Sequence, residues 1–300
     1  MSDIIKNVKN LREITGVGFL DCKKALEENN QDIEKSIDYL RKKGIAKASI
    51  KSSRIANEGA VGVFVTSEKT LLIEINTETD FAAKNEIFLD FLEQIANYAL
   101  QINNEGNEIN INKFMETEFE DKTITEHFSN IISKIRENIV LKRLKLLKEN
   151  SKTKIFTYTH NTYKKNIGKI SVALKAEIDF LNEDISQFGK NLCMHIAALQ
   201  PISIDIDSLE DKLIEKEKEI QLENIKSSGK PDNIIDKILE GKMKKFFSEV
   251  TLLNQKYILD EDKTIRKVIM DFNSKYGNFK IIDYSLFVLG AWWVNIKEYL

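Results

Sequence analysis

An internal repeat limits what this chain can fold into. Glu78-Thr79-Asp80-Phe81 recurs 99 residues later as Glu177-Ile178-Asp179-Phe180, and at the same offset Ile73 and Ile75 fall on Val172 and Leu174. The residues before each copy read as β structure. Gly59-Ala60-Val61-Gly62-Val63-Phe64-Val65-Thr66 and Leu71-Leu72-Ile73-Glu74-Ile75-Asn76 flank the polar stretch Ser67-Glu68-Lys69, the pattern of a hairpin. Ile155-Phe156-Thr157-Tyr158 and the run 168–174 repeat it, joined by a polar turn over 159–166 that contains His160. After each copy, apolar residues step at helical spacing: Phe81, Phe88, Phe91, Leu92, Ile95 and Ala99, then Ile185, Phe188, Leu192 and Ile196. A duplicated hairpin-plus-helix unit predicts a core of two related α+β halves.

The rest of the chain reads as helix. In the first 44 residues Ile4, Val8 and Leu11 form one stripe. Cys22, Ala25 and Leu26 form a second after the Gly16-Val17-Gly18 loop, and Ile33, Ile37 and Leu40 a third. Asn30 or Asp32 is the candidate N-cap of that third helix and Gly44 its stop. Such a bundle is near the lower size limit for independent folding. Residues 47–57, with Lys47, Lys51 and Arg54, read as a linker. Ile124, Phe128, Ile131, Ile135 and Ile139 predict one amphipathic helix. Ile206, Leu209, Leu213, Ile220 and Leu222 mark a charged helix, broken at Ser227-Ser228-Gly229-Lys230-Pro231. Ile234, Ile235, Ile238, Leu239, Met243 and Phe246 mark its return, an antiparallel helical hairpin. A short helix over 264–272 and a strand over 279–282 follow. The predicted organisation is an N-terminal domain with linker (1–54), a first core half (55–150), a second (151–204 and 248–300), and a hairpin insertion (205–247).

Composition excludes several classes of function. Forty-five Lys and Arg against 47 Asp and Glu leave a net charge of −2, which argues against wholesale nucleic-acid binding. Only two cysteines, Cys22 and Cys193, predict no disulfide framework and point to a reducing cytosol. The start of the chain has no apolar or Arg-rich leader, and its longest apolar run, 286–294, is too short to span a bilayer as a helix. A cytoplasmic location without membrane contact is expected.

The common catalytic motifs are not in this sequence. No phosphate-binding Gly-x-x-x-x-Gly-Lys-[Ser/Thr] occurs, and Gly16-x-Gly18 lacks the third glycine of a dinucleotide fingerprint. His127, His160 and His195 make no metal array, and no Gly-x-Ser-x-Gly elbow is present. The expectation is a protein that is not an enzyme and carries no cofactor or metal. Two basic stretches stand out: Arg41-Lys42-Lys43 with Lys47, Lys51 and Arg54, and Lys142-Arg143 with Lys145, Lys148, Lys152 and Lys154. Neither interleaves aromatics as a single-strand platform would, and both read as solvated faces.

Four ordered motifs resemble the elongation factor Ts family. They are Thr15-Gly16-Val17-Gly18-Phe19-Leu20-Asp21-Cys22-Lys23-Lys24-Ala25-Leu26, Glu78-Thr79-Asp80-Phe81-Ala82-Ala83-Lys84-Asn85, Met194-His195-Ile196-Ala197-Ala198, and Gly241-Lys242-Met243-Lys244-Lys245-Phe246. The resemblance covers roughly residues 3–280. It implies a ubiquitin-associated-like three-helix domain, a two-part core and a protruding helical hairpin. It also implies a guanine nucleotide exchange factor that binds elongation factor Tu in its GDP-bound and nucleotide-free states and loosens its hold on GDP and Mg²⁺. In that family the Asp-Phe pair intrudes near the partner's Mg²⁺ site, here Asp80 and Phe81, with Thr79 and Ala82 beside them. The N-terminal contacts correspond to Arg12, Phe19 and Leu20. A histidine of the second half carries a further contact, for which His160 is the candidate by position.

Plain structural readings of the same residues stand beside these. Asp80 can cap a helix, with Phe81 its first core residue seven before Phe88. Phe19 and Leu20 can belong to the core of the small bundle. A different function, a ubiquitin-associated-like adaptor without exchange activity, would bind through residues 1–50 and ignore changes at Asp80-Phe81. The helical hairpin is a candidate surface for a homodimer. Ala82 departs from the valine common in the family, and the apolar segment from Asp283 onward, with Trp292-Trp293, departs from its usual charged ending.

Overall fold

A computed structural model describes residues 2–15, 19–40, 56–102, 109–228 and 231–291. The 16–18 loop, the Gly44 stop, the first basic stretch, the linker to residue 55, part of the loop after Ile102, the Gly229-Lys230 break and Trp292-Trp293 lie outside these residues, as does the side chain of Arg12.

Helices α1 (Ser2–Thr15) and α2 (Phe19–Glu28), with α3 described over 33–40, enclose Val8, Leu11, Cys22, Ala25, Leu26 and Leu40. Helices this short are marginal alone and are held by the shared apolar face. Of the two candidate caps, Asp32 starts α3: its Oδ1 accepts the Lys35 N–H at 3.0 Å. Asn30 and Gln31 instead take left-handed φ values of 53° and 65° to turn the chain. Ser36 Oγ donates to the Ala25 carbonyl at 3.1 Å and ties α3 to α2.

The remainder is mixed α and β. Strands β1 (Glu58–Val65) and β2 (Lys69–Thr77) form an antiparallel hairpin. There follow α4 (Asp80–Ala83), α5 (Glu86–Gln101), α6 (Ile111–Glu116), the short strands β3 (Glu118–Phe119) and β4 (Lys122–Thr123), α7 (Ile124–Ile135) and β5 (Ile139–Lys148). The second unit has β6 (Thr153–His160), β7 (Ile167–Gly168), β8 (Ile170–Ile178) and α8 (Glu183–Leu199). It continues through α9 (Asp211–Ser227), α10 (Asp232–Val250), β9 (Lys256–Tyr257), β10 (Asp260–Thr264), α11 (Ile265–Tyr276) and β11 (Phe279–Val288). The main sheets run β5-β2-β1-β7 and β11-β8-β6. The frame shared by the two units is two paired strands, a helix and a last strand (β1, β2, α5, β5 and β6, β8, α8, β11), and that last strand returns to the free side of the second.

The single helix expected from Ile124 to Ile139 is two elements. Thr123 opens α7 with a reciprocal capping box to Glu126, and Arg136, at φ 69°, closes it. Ile139 begins β5, which pairs with β2 from Thr77↔Ile139 to Lys69↔Lys148. The second basic stretch is therefore largely a strand. It lies at a sheet edge, where lysines discourage pairing with another chain. The strand expected over 279–282 runs on to Val288, so the unusual apolar segment after Asp283 is sheet as far as that residue.

The two sheets pack face to face. Ala60, Leu71, Ile73 and Ile75 turn toward α5 and α7, and Val172, Leu174 and Ala176 toward α8. The alternate residues Val61, Val63, Leu72, Leu147, Ile155, Ala173 and Phe287 fill a layer between the sheets. Helix α8 lies close on its sheet because residue 189 is glycine: a Cβ there would stand 2.3 Å from the Phe156 ring. In the α9–α10 pair, Ile225, Ile235, Leu239 and Met243 form a separate apolar seam. The helix period there starts at Asp211, so Ile206 and Leu209 precede it and Ile220 faces solvent.

Buried His195 fastens α8 to the segment after α10. Its Nε2 donates to Gln255 Oε1 at 3.0 Å, while Nδ1 accepts the Ile258 N–H at 3.4 Å. Gln255 Nε2 in turn donates to the Glu249 carbonyl at 2.7 Å. Burial lowers the His195 pKa from 6.5 to about 4, so the ring is neutral near pH 7. Between those two pH values the unfolded chain binds a proton that the native protein refuses. Stability should therefore be full above about pH 6.5 and decline toward pH 4, by about 3 kcal/mol in all. Urea midpoints measured across that range check this, and His195→Gln should flatten the profile.

Candidate functional site

The site is built where β2 hands over to α5. A four-residue helix has no stability of its own, and α4 is held by its surroundings. Thr79 is its N-cap: the side-chain oxygen accepts the Ala82 N–H at 3.2 Å. Ala82 and Ala83 are buried and seat the turn on the core. The Lys84 N–H reaches back to the Asp80 carbonyl at 3.2 Å. Asn85 then starts a new helix by accepting the Ile87 N–H at 2.9 Å.

This break decides how Phe81 is used. An i, i+7 relation between Phe81 and Phe88 requires an unbroken helix, and the chain resets its phase at Lys84-Asn85. Phe88 is fully buried, whereas Phe81 is 83% exposed. Phe81 is therefore no member of the core stripe, and Thr79, not Asp80, is the cap. Asp80 instead meets Lys84 at 2.9 Å. The Lys84 hydrogen bond holds its carboxyl below the usual range, and the Lys169 charge adds to the effect. An ionised carboxylate and a bare aromatic ring thus stand side by side on one turn.

A second wall of the site comes from the α7–β5 connection. Glu137 accepts both donors of Thr79, the N–H at 3.0 Å and the hydroxyl at 2.7 Å. Glu78 accepts the Asn138 N–H at 2.6 Å. Spacing offers no sign of these partners, which lie 58 and 60 residues apart in sequence.

The repeat does not preserve the arrangement. Asp179 accepts the Asn278 N–H at 3.0 Å, and Asn182 rather than Asp179 caps α8. Phe180 is 53% exposed and lies over Gly277, where a Cβ would come within 3.3 Å of its ring.

The other candidate residues lie elsewhere on the chain. Phe19 and Leu20 open α2 and are exposed, outside the apolar cluster of the small bundle. Arg12 is on α1. His160 is the last residue of β6 rather than part of a turn, and its Nδ1 lies 3.0 Å from the exposed Tyr158 hydroxyl. Its carbonyl accepts the N–H of Lys169, the residue whose charge acts on Asp80. The turn after His160 is tied to the first unit by Lys164, whose ammonium lies 2.7 Å from both Asp90 and Glu93 on α5.

Among the described residues no three His, Cys, Asp or Glu side chains come together as a metal site, and no helix is long and apolar enough to cross a membrane. Residues 78–291 match the family model for elongation factor Ts. The elongation factor Ts of Bartonella henselae is 38% identical over 293 residues, covering 97% of this chain and 94% of that protein. That of Rhizobium meliloti is 39% identical over 272 residues, 90% and 87% of the two chains. That of Gluconobacter oxydans is 35% identical over 283 residues, 94% and 90%. Identity at this level over nearly the whole of both chains, with residues 78–291 matching the family model, places the chain in the elongation factor Ts family.

Proposed function

We propose that this protein is a guanine nucleotide exchange factor that binds elongation factor Tu carrying GDP, disturbs the Mg²⁺ and phosphate site, and lets GDP leave so that GTP can enter during translation elongation. The observation that carries the reading is the exposure of Phe81 on an otherwise well-anchored turn. A large aromatic left in water has a cost that docking into a partner's pocket removes, and such residues dominate interfaces. Asp80 brings negative charge to a place where a partner's cation and its ligands are held. Thr79 and Ala82 set the height of the turn. Phe19 and Leu20, with Arg12, form a second contact through the small bundle, and His160 a third from the second unit.

Exchange asks for no bond-making residue. The factor must prefer the nucleotide-free partner, and by linkage factor and nucleotide then weaken each other equally. A hundredfold weakening corresponds to about 2.7 kcal/mol of coupling, within what one well-seated aromatic supplies. The test is release of a fluorescent GDP analogue from purified elongation factor Tu, with this protein at catalytic concentration. Accelerated release that scales with added protein is expected. Binding through residues 1–50 with no acceleration would leave an adaptor without exchange activity.

A further inference from the structure

We propose that Glu137 is a positioning residue for exchange, the group that presets the angle at which Asp80 and Phe81 are offered to the partner. The inference rests on the reading of that turn as the element acting on elongation factor Tu.

Helix α4 has too few internal hydrogen bonds to hold a direction, and Phe81 itself makes no use of the core. An aromatic wedge is effective only when its direction is settled before contact, since ordering it on binding subtracts from the coupling. The ordering therefore comes from outside the helix. Thr79 is the hinge between β2 and α4, and its hydroxyl is a relay: it accepts the Ala82 N–H at 3.2 Å and donates to Glu137 Oε1 at 2.7 Å. Donation to a carboxylate orients the hydroxyl so that its lone pair faces the helix. The second carboxylate oxygen takes the Thr79 N–H at 3.0 Å, which fixes the backbone at the same residue. Glu137 is aimed there by its neighbours. Arg136 turns the chain through a left-handed conformation, and the Asn138 N–H is held by Glu78. A carboxylate matches this task well: its two acceptor oxygens are spaced to take an N–H and an O–H from one residue.

The experiment compares GDP release by the wild type, Glu137→Ala, Glu137→Gln, Phe81→Ala and the double variant Glu137→Ala with Phe81→Ala, each with its thermal midpoint. Glu137→Ala should slow exchange about tenfold, and Glu137→Gln, which keeps an acceptor oxygen, should recover most of that. If Glu137 acts through the turn, its loss should be masked once Phe81 is gone: the double variant should be within about twofold of Phe81→Ala. A merely structural role would not produce that masking, because damage elsewhere multiplies. Wild-type rates for Glu137→Ala beside a slow Phe81→Ala would overturn the positioning role alone. Multiplication of the two effects in the double variant would do the same. Wild-type rates for Phe81→Ala would bring down the reading of the turn and this inference with it. Should Glu137→Ala fail to fold, Glu137→Gln paired with Phe81→Ala is read in its place, with a few-fold slowing masked by Phe81→Ala expected and multiplication again overturning.

Discussion

Phe81→Ala should slow release of GDP from elongation factor Tu about thirtyfold and leave the protein's own thermal midpoint nearly unmoved. The magnitude follows from what truncating a well-seated interface aromatic costs, about 2 kcal/mol or more. The unchanged midpoint follows from exposure: a side chain 83% open to solvent contributes little to folding, and surface substitutions of this kind stay within about 0.5 kcal/mol. Phe88→Ala is the informative opposite. That ring is fully buried against β2 and its neighbours, so its removal should destabilise the fold by about 3–5 kcal/mol. Two phenylalanines seven residues apart should thus fail in different assays. Thermal melting and GDP-analogue release on both variants decide the matter. If Phe81→Ala melted as Phe88→Ala does, the ring would belong to the core. Asp80→Ala combined with Phe81→Ala should exchange no faster than Phe81→Ala, since both act at one turn.

Glu74→Ala should be among the most destabilising single changes in the protein, at about 3–5 kcal/mol. Glu74 lies in the layer between the two sheets with its side chain 2% exposed, opposite Arg143 on β5. Arg143 Nε donates to Glu74 Oε2 at 2.6 Å, and its Nη2 to the Val288 carbonyl at 3.0 Å. Its guanidinium stands 4.1 Å from the centre of the Phe287 ring, and the Gly290 N–H completes the carboxylate at 3.1 Å. The group binds strands of both units. Removing the carboxylate strands a guanidinium whose pKa burial already pulls down, and an unpaired buried charge is what makes such changes severe. Replacing both partners by apolar residues, Glu74→Leu with Arg143→Met, should restore most of the loss, because the pair compensates its own desolvation more than it adds stability. Urea midpoints of the single and double variants measure both effects. A double variant as unstable as Glu74→Ala would mean the pair does more than neutralise itself.

Arg143 also illustrates how an element escapes a reading by pattern. The stretch 139–148 carries Lys142, Arg143, Lys145 and Lys148, and the preceding isoleucines continue in helical register into Ile139. Its charges belong there because β5 is an edge strand, and Arg143 can face inward because Glu74 waits on β2. Neither condition is local. The hairpin β1–β2 was legible because apolar layers lie on both its faces, which makes its strands nearly continuous apolar runs. The helices α5, α7 and α8 were legible through one buried stripe each, although a stripe says nothing about where the chain resets its phase, as it does at Lys84-Asn85 and at Arg136.

The sequence by itself determined the repeated hairpin and helix, the buried faces of the helices, and the order of motifs that marks the family. All of these are patterns of near neighbours, and near neighbours share one element and one face. Tertiary structure alone decided that Phe81 faces water while Phe88 does not, that Glu137 holds Thr79, that Glu74 meets Arg143, and that the chain from Asp283 to Val288 pairs as the edge strand of a sheet. These are pairings between residues far apart in the chain, made when one unit's strands and loops come to rest on another's, and local spacing carries no record of which distant partner a side chain will meet.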